Sequence, residues 1–233
     1  MTLPLLLLLP GMTNNAELWQ FVAPALADVA EVRIAEFPTH DSVGAMADAA
    51  LQLAGARDFS LAGFSLGGWV AQDILSRAPE RVERLALIDS AAGPISPEMR
   101  VLMEKSRAAA ARHYDVMLDR MLPGAVHPAR LADAALCGAA MTMFRNVGAD
   151  TFARHCTAAI GRPDHRDALQ DFTRPALIVC GRQDQVTPPE QTEELARLLP
   201  GAGVEWIDEC GHLSPLERPA AVADALRRWM TRN

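Results

Sequence analysis

What this 233-residue chain lacks narrows its function before any motif is read. No stretch approaches the roughly 20 consecutive apolar residues that a membrane-spanning helix needs. The apolar run at residues 3–10 has no basic segment ahead of it, is broken by Pro4 and Pro10, and has no small-residue cleavage site after it. It therefore reads as a buried parallel strand and not as a secretory signal. The four cysteines, Cys137, Cys156, Cys180 and Cys210, form no C-x-x-C pair and no metal-ligand spacing. Free, mostly buried thiols in a reducing cytoplasm are expected, with no metal and no other cofactor. Positive charge is in deficit: 22 Lys+Arg stand against 29 Asp+Glu, a formal charge of −7. That balance argues against nucleic acid or an anionic membrane surface as partner and leaves a small-molecule substrate, acted on by a monomer or homodimer. There is no internal repeat, linker or low-complexity segment.

What is present alternates. Short apolar runs at residues 5–9, 32–37, 59–63 and 84–89 read as strands, separated by helical patterns such as residues 43–54, with Asp41 or Ser42 as the cap. This alternation predicts an α/β fold: a mostly parallel sheet with helices on both faces. The rhythm then breaks. From about residue 93 to residue 173 there is no strand signal, only helical segments rich in Ala, Met and Arg, interrupted at Pro97, Pro123-Gly124, Pro128 and Pro163. The first of these has Ser96 as N-cap, Pro97 at N1 and a stripe through Met99, Met103, Ser106, Ala110, His113, Met117 and Met121. The division expected is a core of residues 1–93 and 174–233, carrying an inserted helical cap at residues 94–173. Sheet order resumes at residues 176–180 and 204–207, with helices at about 189–199 and toward the C-terminus, where Ser214-Pro-Leu-Glu217 offers a capping box.

The chemistry centres on Gly63-Phe64-Ser65-Leu66-Gly67, a G-x-S-x-G sequence between a strand and a helix. Alone, it is equally well a glycine-rich turn. A serine hydroxyl needs a base within hydrogen-bond reach, and the base needs an acid that fixes its tautomer. Ser65, Asp184 and His212 fall in the order Ser, Asp, His, each after a strand. On these residues the chain resembles the α/β-hydrolase family over almost its whole length. Gly63-Phe-Ser-Leu-Gly-Gly68 looks like that family's nucleophile elbow, Gly181-Arg-Gln-Asp-Gln-Val-Thr-Pro188 like its acid loop, and Gly211-His-Leu-Ser-Pro-Leu-Glu-Arg-Pro219 like its histidine segment. Glu36-Phe-Pro-Thr-His-Asp-Ser42 is similar to its D-x-P-G-H-G-x-S turn, in which His40 would be structural.

The resemblance implies a carboxylesterase-like hydrolase with Ser65 as nucleophile, His212 as base and Asp184 as orienting acid; Asp89, after the fourth strand, is the rival acid. It also implies that Leu9-Pro-Gly-Met-Thr13 is the oxyanion segment, with the amides of Met12 and Leu66 as donors, although the family's usual histidine is here Pro10. The chain begins almost directly on the oxyanion strand, so a sheet trimmed at that edge is expected. Substrate contacts are expected from Trp19, Met117, Met121, Met141 and Arg145; Arg145, Arg154 and Arg162 could add a carboxylate clamp, although arginines on helical insertions are more often solvated. The remaining histidines of the insertion, His113, His127, His155 and His165, have surface or pocket roles, and Cys210 is a packing residue. Esters, lactones and thioesters all suit the triad; relatives that act as lyases, C–C bond hydrolases or ligand receptors are the alternatives.

Overall fold

Five consecutive leucines form the first strand, β1 (Leu5–Leu9), and every one of them is buried. A strand apolar on both faces is stable only between two packed layers, and the alternation of side chains divides these leucines between them. Leu6 and Leu8 join the core under α1 (Val22–Ala25) and the C-terminal helix α10 (Pro219–Thr231), while Leu5, Leu7 and Leu9 join the core under α2 (Val43–Ala54) and α3 (Leu66–Arg77). Each buried leucine contributes about 1.5–3 kcal/mol. The chain is described by a computed structural model covering residues 2–232; Met1 and Asn233, the outer bounds of the expected core division, lie outside the described residues.

The other strands are β2 (Glu31–Ile34), β3 (Phe59–Phe64), β4 (Val82–Ile88), β5 (Ala176–Gly181) and β6 (Gly203–Ile207). They form one sheet in the order β2-β1-β3-β4-β5-β6, with every pair parallel. The order reverses between β1 and β3, so the loops leaving those two strands open a crevice at the carboxyl edge, where such sheets bind ligands. No antiparallel hairpin flanks β1 among the described residues. No helix among them is long and apolar enough to cross a membrane.

Between β4 and β5 the only regular elements among the described residues are helical, α4 (Pro97–Ala125), α5 (Ala134–Val147), α6 (Ala149–Ile160) and α7 (Arg166–Gln170) with a short 3-10 turn at Pro128–Arg130, before α8 (Pro189–Leu198) follows β5. Helix α4 starts as expected, with Ser96 Oγ accepting from Met99 N at 3.2 Å, and Ser42 Oγ caps α2 by accepting from Ala45 N. Three local expectations fail, the second only in part. Strand β2 ends at Ile34, because after Ala35 N reaches Leu8 O the chain turns Phe37 into the core ahead of Pro38. The α4 stripe keeps Met103, Ser106, Ala110, Met117 and Met121 inward, but Met99 in the first turn and His113, where the helix kinks (φ −143°, ψ 43°), are exposed, while Tyr114 and Leu118 also turn inward; beyond the kink the helix runs through Pro123. The C-terminal helix is broken at Arg218 into α9 (Ser214–Glu217) and α10, and the capping box does not form. Ser214 Oγ is buried without a partner, and the Glu217 carboxylate turns elsewhere.

Candidate active site

Strand β3 passes into α3 within one residue, and that residue, Ser65, takes the left-handed backbone (φ 51°, ψ −116°) that side chains rarely adopt. The strain is held by three bonds: Ser65 N donates to Ile88 O at 2.9 Å, and Ser65 O accepts from Gly68 N at 2.8 Å and Ser90 Oγ at 2.9 Å. The glycines are steric requirements. A Cβ on Gly63 would stand 2.3 Å from Gly67 O, and one on Gly67 would stand 2.3 Å from Leu9 O and 2.7 Å from Pro10 O. The second contact shows that the loop leaving β1 abuts the elbow. The amides of Met12, in that loop, and of Leu66, at the N-terminus of α3, donate to no protein acceptor among the described residues.

The other two groups come from the loops after β5 and β6. Asp184 is clamped by its own loop: Oδ1 accepts from Val186 N (2.8 Å) and Thr187 N (2.9 Å), and Oδ2 accepts from Thr187 Oγ1 (2.7 Å). The same Oδ2 lies 2.8 Å from His212 Nδ1, and His212 Nε2 lies 3.1 Å from Ser65 Oγ. A proton on Nδ1 donated to the carboxylate leaves the Nε2 lone pair facing the serine hydroxyl, which is the tautomer a general base needs. All three residues are buried, and the Phe64 ring lies against the imidazole at 5.0 Å between centroids.

Electrostatics favour the same assignment. Burial alone lowers the His212 pKa, but the charge and hydrogen bond of Asp184, with further contributions from Asp89 and Glu217, turn the net shift upward. Burial pushes the Asp184 carboxyl up, and the His212 and Thr187 contacts outweigh it, so Asp184 titrates below its ordinary value. Asp89 behaves oppositely. Burial, reinforced by the charge of Asp184, raises it to about 8. Its Oδ1 accepts from Gly181 N at 2.9 Å, which places the Asp89 carboxyl beneath the acid loop, where burial favours its protonated form. Asp89, Cys180 and Asp184 bring ligand-type atoms within 4.8 Å of one another. Both Asp184 oxygens are already engaged, and burial lifts the Cys180 thiol to about 12, so this trio is a poor donor set for a metal.

The expected substrate contacts divide. Met117 and Met121 are half-buried beside Ala110, Phe152 and Cys156 of the helical insertion, and Met12 packs against the same cluster. Met141 is buried in the main core, as is Trp19, which meets the Phe64 ring edge-on at 6.5 Å. Arg145 is exposed and paired with Asp115 at 3.0 Å. Arg154 donates to Pro38 O, and Arg162 donates to Gly93 O with its guanidinium over the Trp69 ring at 3.9 Å. The three arginines are each engaged separately and form no clamp, in keeping with the more common reading of arginines on a helical insertion. Two contributors escaped the sequence reading: Thr187, visible only as part of the acid loop, and the insertion's Ala125, whose carbonyl accepts from His212 N at 2.9 Å.

Comparison with known proteins agrees with this architecture. Pimeloyl-[acyl-carrier protein] methyl ester esterase of Aromatoleum aromaticum is 29% identical over 94% of this chain and 95% of its own. The enzyme of that name from Nitrosomonas europaea is 26% identical over 93% and 91%. Among solved structures, a thermophilic esterase from Thermogutta terrifontis superposes with a TM-score of 0.90 at 25% identity, covering 98% of this chain and 90% of that one. An enol-lactonase from Burkholderia xenovorans shares the fold, with a TM-score of 0.86 at 22% identity over 100% and 93%. The model of the Alpha/beta hydrolase family matches residues 6–225, and the chain belongs to that family.

Proposed function

We propose that the chain is a serine hydrolase of small carboxylic esters, acting through Ser65, His212 and Asp184 and a covalent acyl-enzyme. Ser65 Oγ attacks the acyl carbon while His212 Nε2 takes its proton. The tetrahedral oxyanion is held by the amides of Met12 and Leu66. The intermediate collapses as His212 returns the proton to the departing alcohol, and water then hydrolyses the acyl-Ser65 ester by the same route. Two amides aimed at the oxyanion in a water-poor site each supply on the order of 3 kcal/mol of transition-state stabilisation. The observation that carries this reading is the unbroken hydrogen-bond chain Ser65 Oγ, His212 Nε2, His212 Nδ1, Asp184 Oδ2 at 3.1 and 2.8 Å.

Residues 94–173 act as a cap over that chain. Met117 and Met121 sit beside Met12 in one apolar cluster, which suits an acyl or alcohol group of modest size. Relatives named for a methyl ester substrate make methyl esters of short and medium acids the first class to assay, ahead of lactones and thioesters. The test is an acid quench during turnover of such an ester, followed by peptide mass spectrometry. An acyl adduct on the Ser65 peptide is expected. Hydrolysis that persists in Ser65→Ala, with no adduct in the parent protein, would refute the mechanism.

A further inference from the structure

The end of helix α4 passes directly behind the catalytic turn. The carbonyl of Ala125 accepts from both His212 N at 2.9 Å and Leu213 N at 3.1 Å. One step outward, the Glu217 carboxylate bridges the two segments: Oε1 accepts from Gly211 N and Oε2 from His127 N, each at 2.9 Å. The contact is close enough to require glycine, since a Cβ on Gly211 would stand 2.7 Å from His127 N and 3.0 Å from Glu217 Oε1. Glu217 is 2% exposed. No side-chain cation reaches its carboxylate oxygens among the described residues; Arg130 donates instead to the Glu217 backbone carbonyl and pairs with Asp133. A buried carboxylate held by amides alone is an expensive way to stabilise a fold, and an apolar side chain would do that at less cost. What the carboxylate does, and an apolar side chain does not, is join the amide just before His212 to the amide just after α4.

We propose that Glu217 is a positioning residue that fastens the His212 turn to the helical insertion, so that residues 125–127 belong to the catalytic frame. The inference rests on His212 being the base. Asp184, Asp89, Ser65 and Thr187 face the imidazole, and His127 and Arg130 face Glu217. Displacing the insertion at this point removes the two Ala125 bonds to the backbone of residues 212 and 213, and with them the His127 bond that fixes Glu217.

The backbone itself provides the test. His127 has φ −55° and follows an extended Val126 (φ −116°, ψ 144°), so His127→Pro fits the existing conformation and deletes the N–H that Glu217 Oε2 accepts while leaving the Gly211 bond in place. His127→Ala loses the same imidazole but keeps the amide. His127→Pro is expected to fall below His127→Ala by on the order of 10- to 100-fold in kcat, with a smaller change in KM and an unchanged circular dichroism spectrum. Glu217→Gln removes a negative charge that favours protonated His212, so the acid limb of its kcat/KM profile should move to lower pH. Equal kcat in the two His127 variants, together with a parental acid limb in Glu217→Gln, would overturn the proposal, and if one variant fails to fold the other decides. Loss of activity in Ser65→Ala and His212→Ala alongside that result leaves the triad standing and removes only this inference. Survival of activity in those two removes both.

Discussion

Replacing Asp184 by asparagine should abolish catalysis while leaving the fold nearly intact, and the loop geometry says why. Oδ1 accepts two backbone amides at 2.8 and 2.9 Å, while Oδ2 accepts His212 Nδ1 and Thr187 Oγ1 at 2.8 and 2.7 Å. An asparagine that put its NH2 toward the backbone would set two donors against two donors, so its oxygen takes the Oδ1 position and its NH2 faces His212. Nδ1 must then accept, the ring proton moves to Nε2, and Nε2 no longer has a lone pair for Ser65 at 3.1 Å. Loss of the base tautomer in such triads lowers kcat by about 10⁴-fold, equivalent to about 5.5 kcal/mol of activation free energy. The retained backbone bonds limit the stability loss to about 1–2 kcal/mol, or roughly 2–8 °C in Tm. The assay is steady-state hydrolysis of p-nitrophenyl acetate and butyrate at pH 7.5 beside a thermal melt. Asp184→Asn within about tenfold of the parent would refute the tautomer argument. Residual activity that disappears only when Asp89→Asn is added would transfer the role to Asp89.

The buried carboxyl of Asp89 makes a prediction of its own. Its pKa is raised to about 8, so its folded form favours the proton and its contribution to stability is lost as pH rises from the ordinary carboxylate range through about 8. His212, raised as well, loses stability in the same direction, and because Asp89 contributes to that shift its loss is smaller in Asp89→Asn, which reinforces the difference; Asp184, lowered, acts only at acid pH. Parental Tm should therefore fall more steeply between pH 6 and 9 than that of Asp89→Asn, and parallel curves would contradict the assignment. Gly67→Ala would drive a Cβ to 2.3 Å from Leu9 O, between two stretches of backbone. It should cost about 1–3 kcal/mol by thermal melt and lower kcat by displacing the Met12 loop; a parental melt and rate would show that the loop is free to move.

The parts of this molecule legible in its sequence are those specified locally. The leucine run at Leu5–Leu9 declares a strand buried on both faces, and Ser42 and Ser96 declare the starts of α2 and α4 through bonds to amides three residues on. The elbow glycines declare a turn where no Cβ fits. Family membership was legible for the same reason: the elbow, acid loop and histidine segment are each short, and their order along the chain carries the topology. Long-range features were not legible. Nothing near Glu217 indicates that its carboxylate leaves the expected capping box to meet His127, 90 residues away. The kink at His113 turns that residue outward and brings Tyr114 and Leu118 in beside the stripe, a local break that a constant period does not show. Arg145 lies in the last turn of α5, where a cation complements the helix dipole and finds Asp115; its side-chain type alone suggested a ligand.

The measurement closest to the central claim is labelling with a fluorophosphonate, which reports whether a serine is activated without requiring the natural substrate. Stoichiometric modification of Ser65 is expected in the parent protein at pH 7.5, together with loss of ester hydrolysis. In His212→Ala the labelling rate should fall by on the order of 10³-fold or more with the fold preserved. Rapid labelling of Ser65 in His212→Ala, or a parent protein that resists the reagent yet hydrolyses esters, would contradict the account.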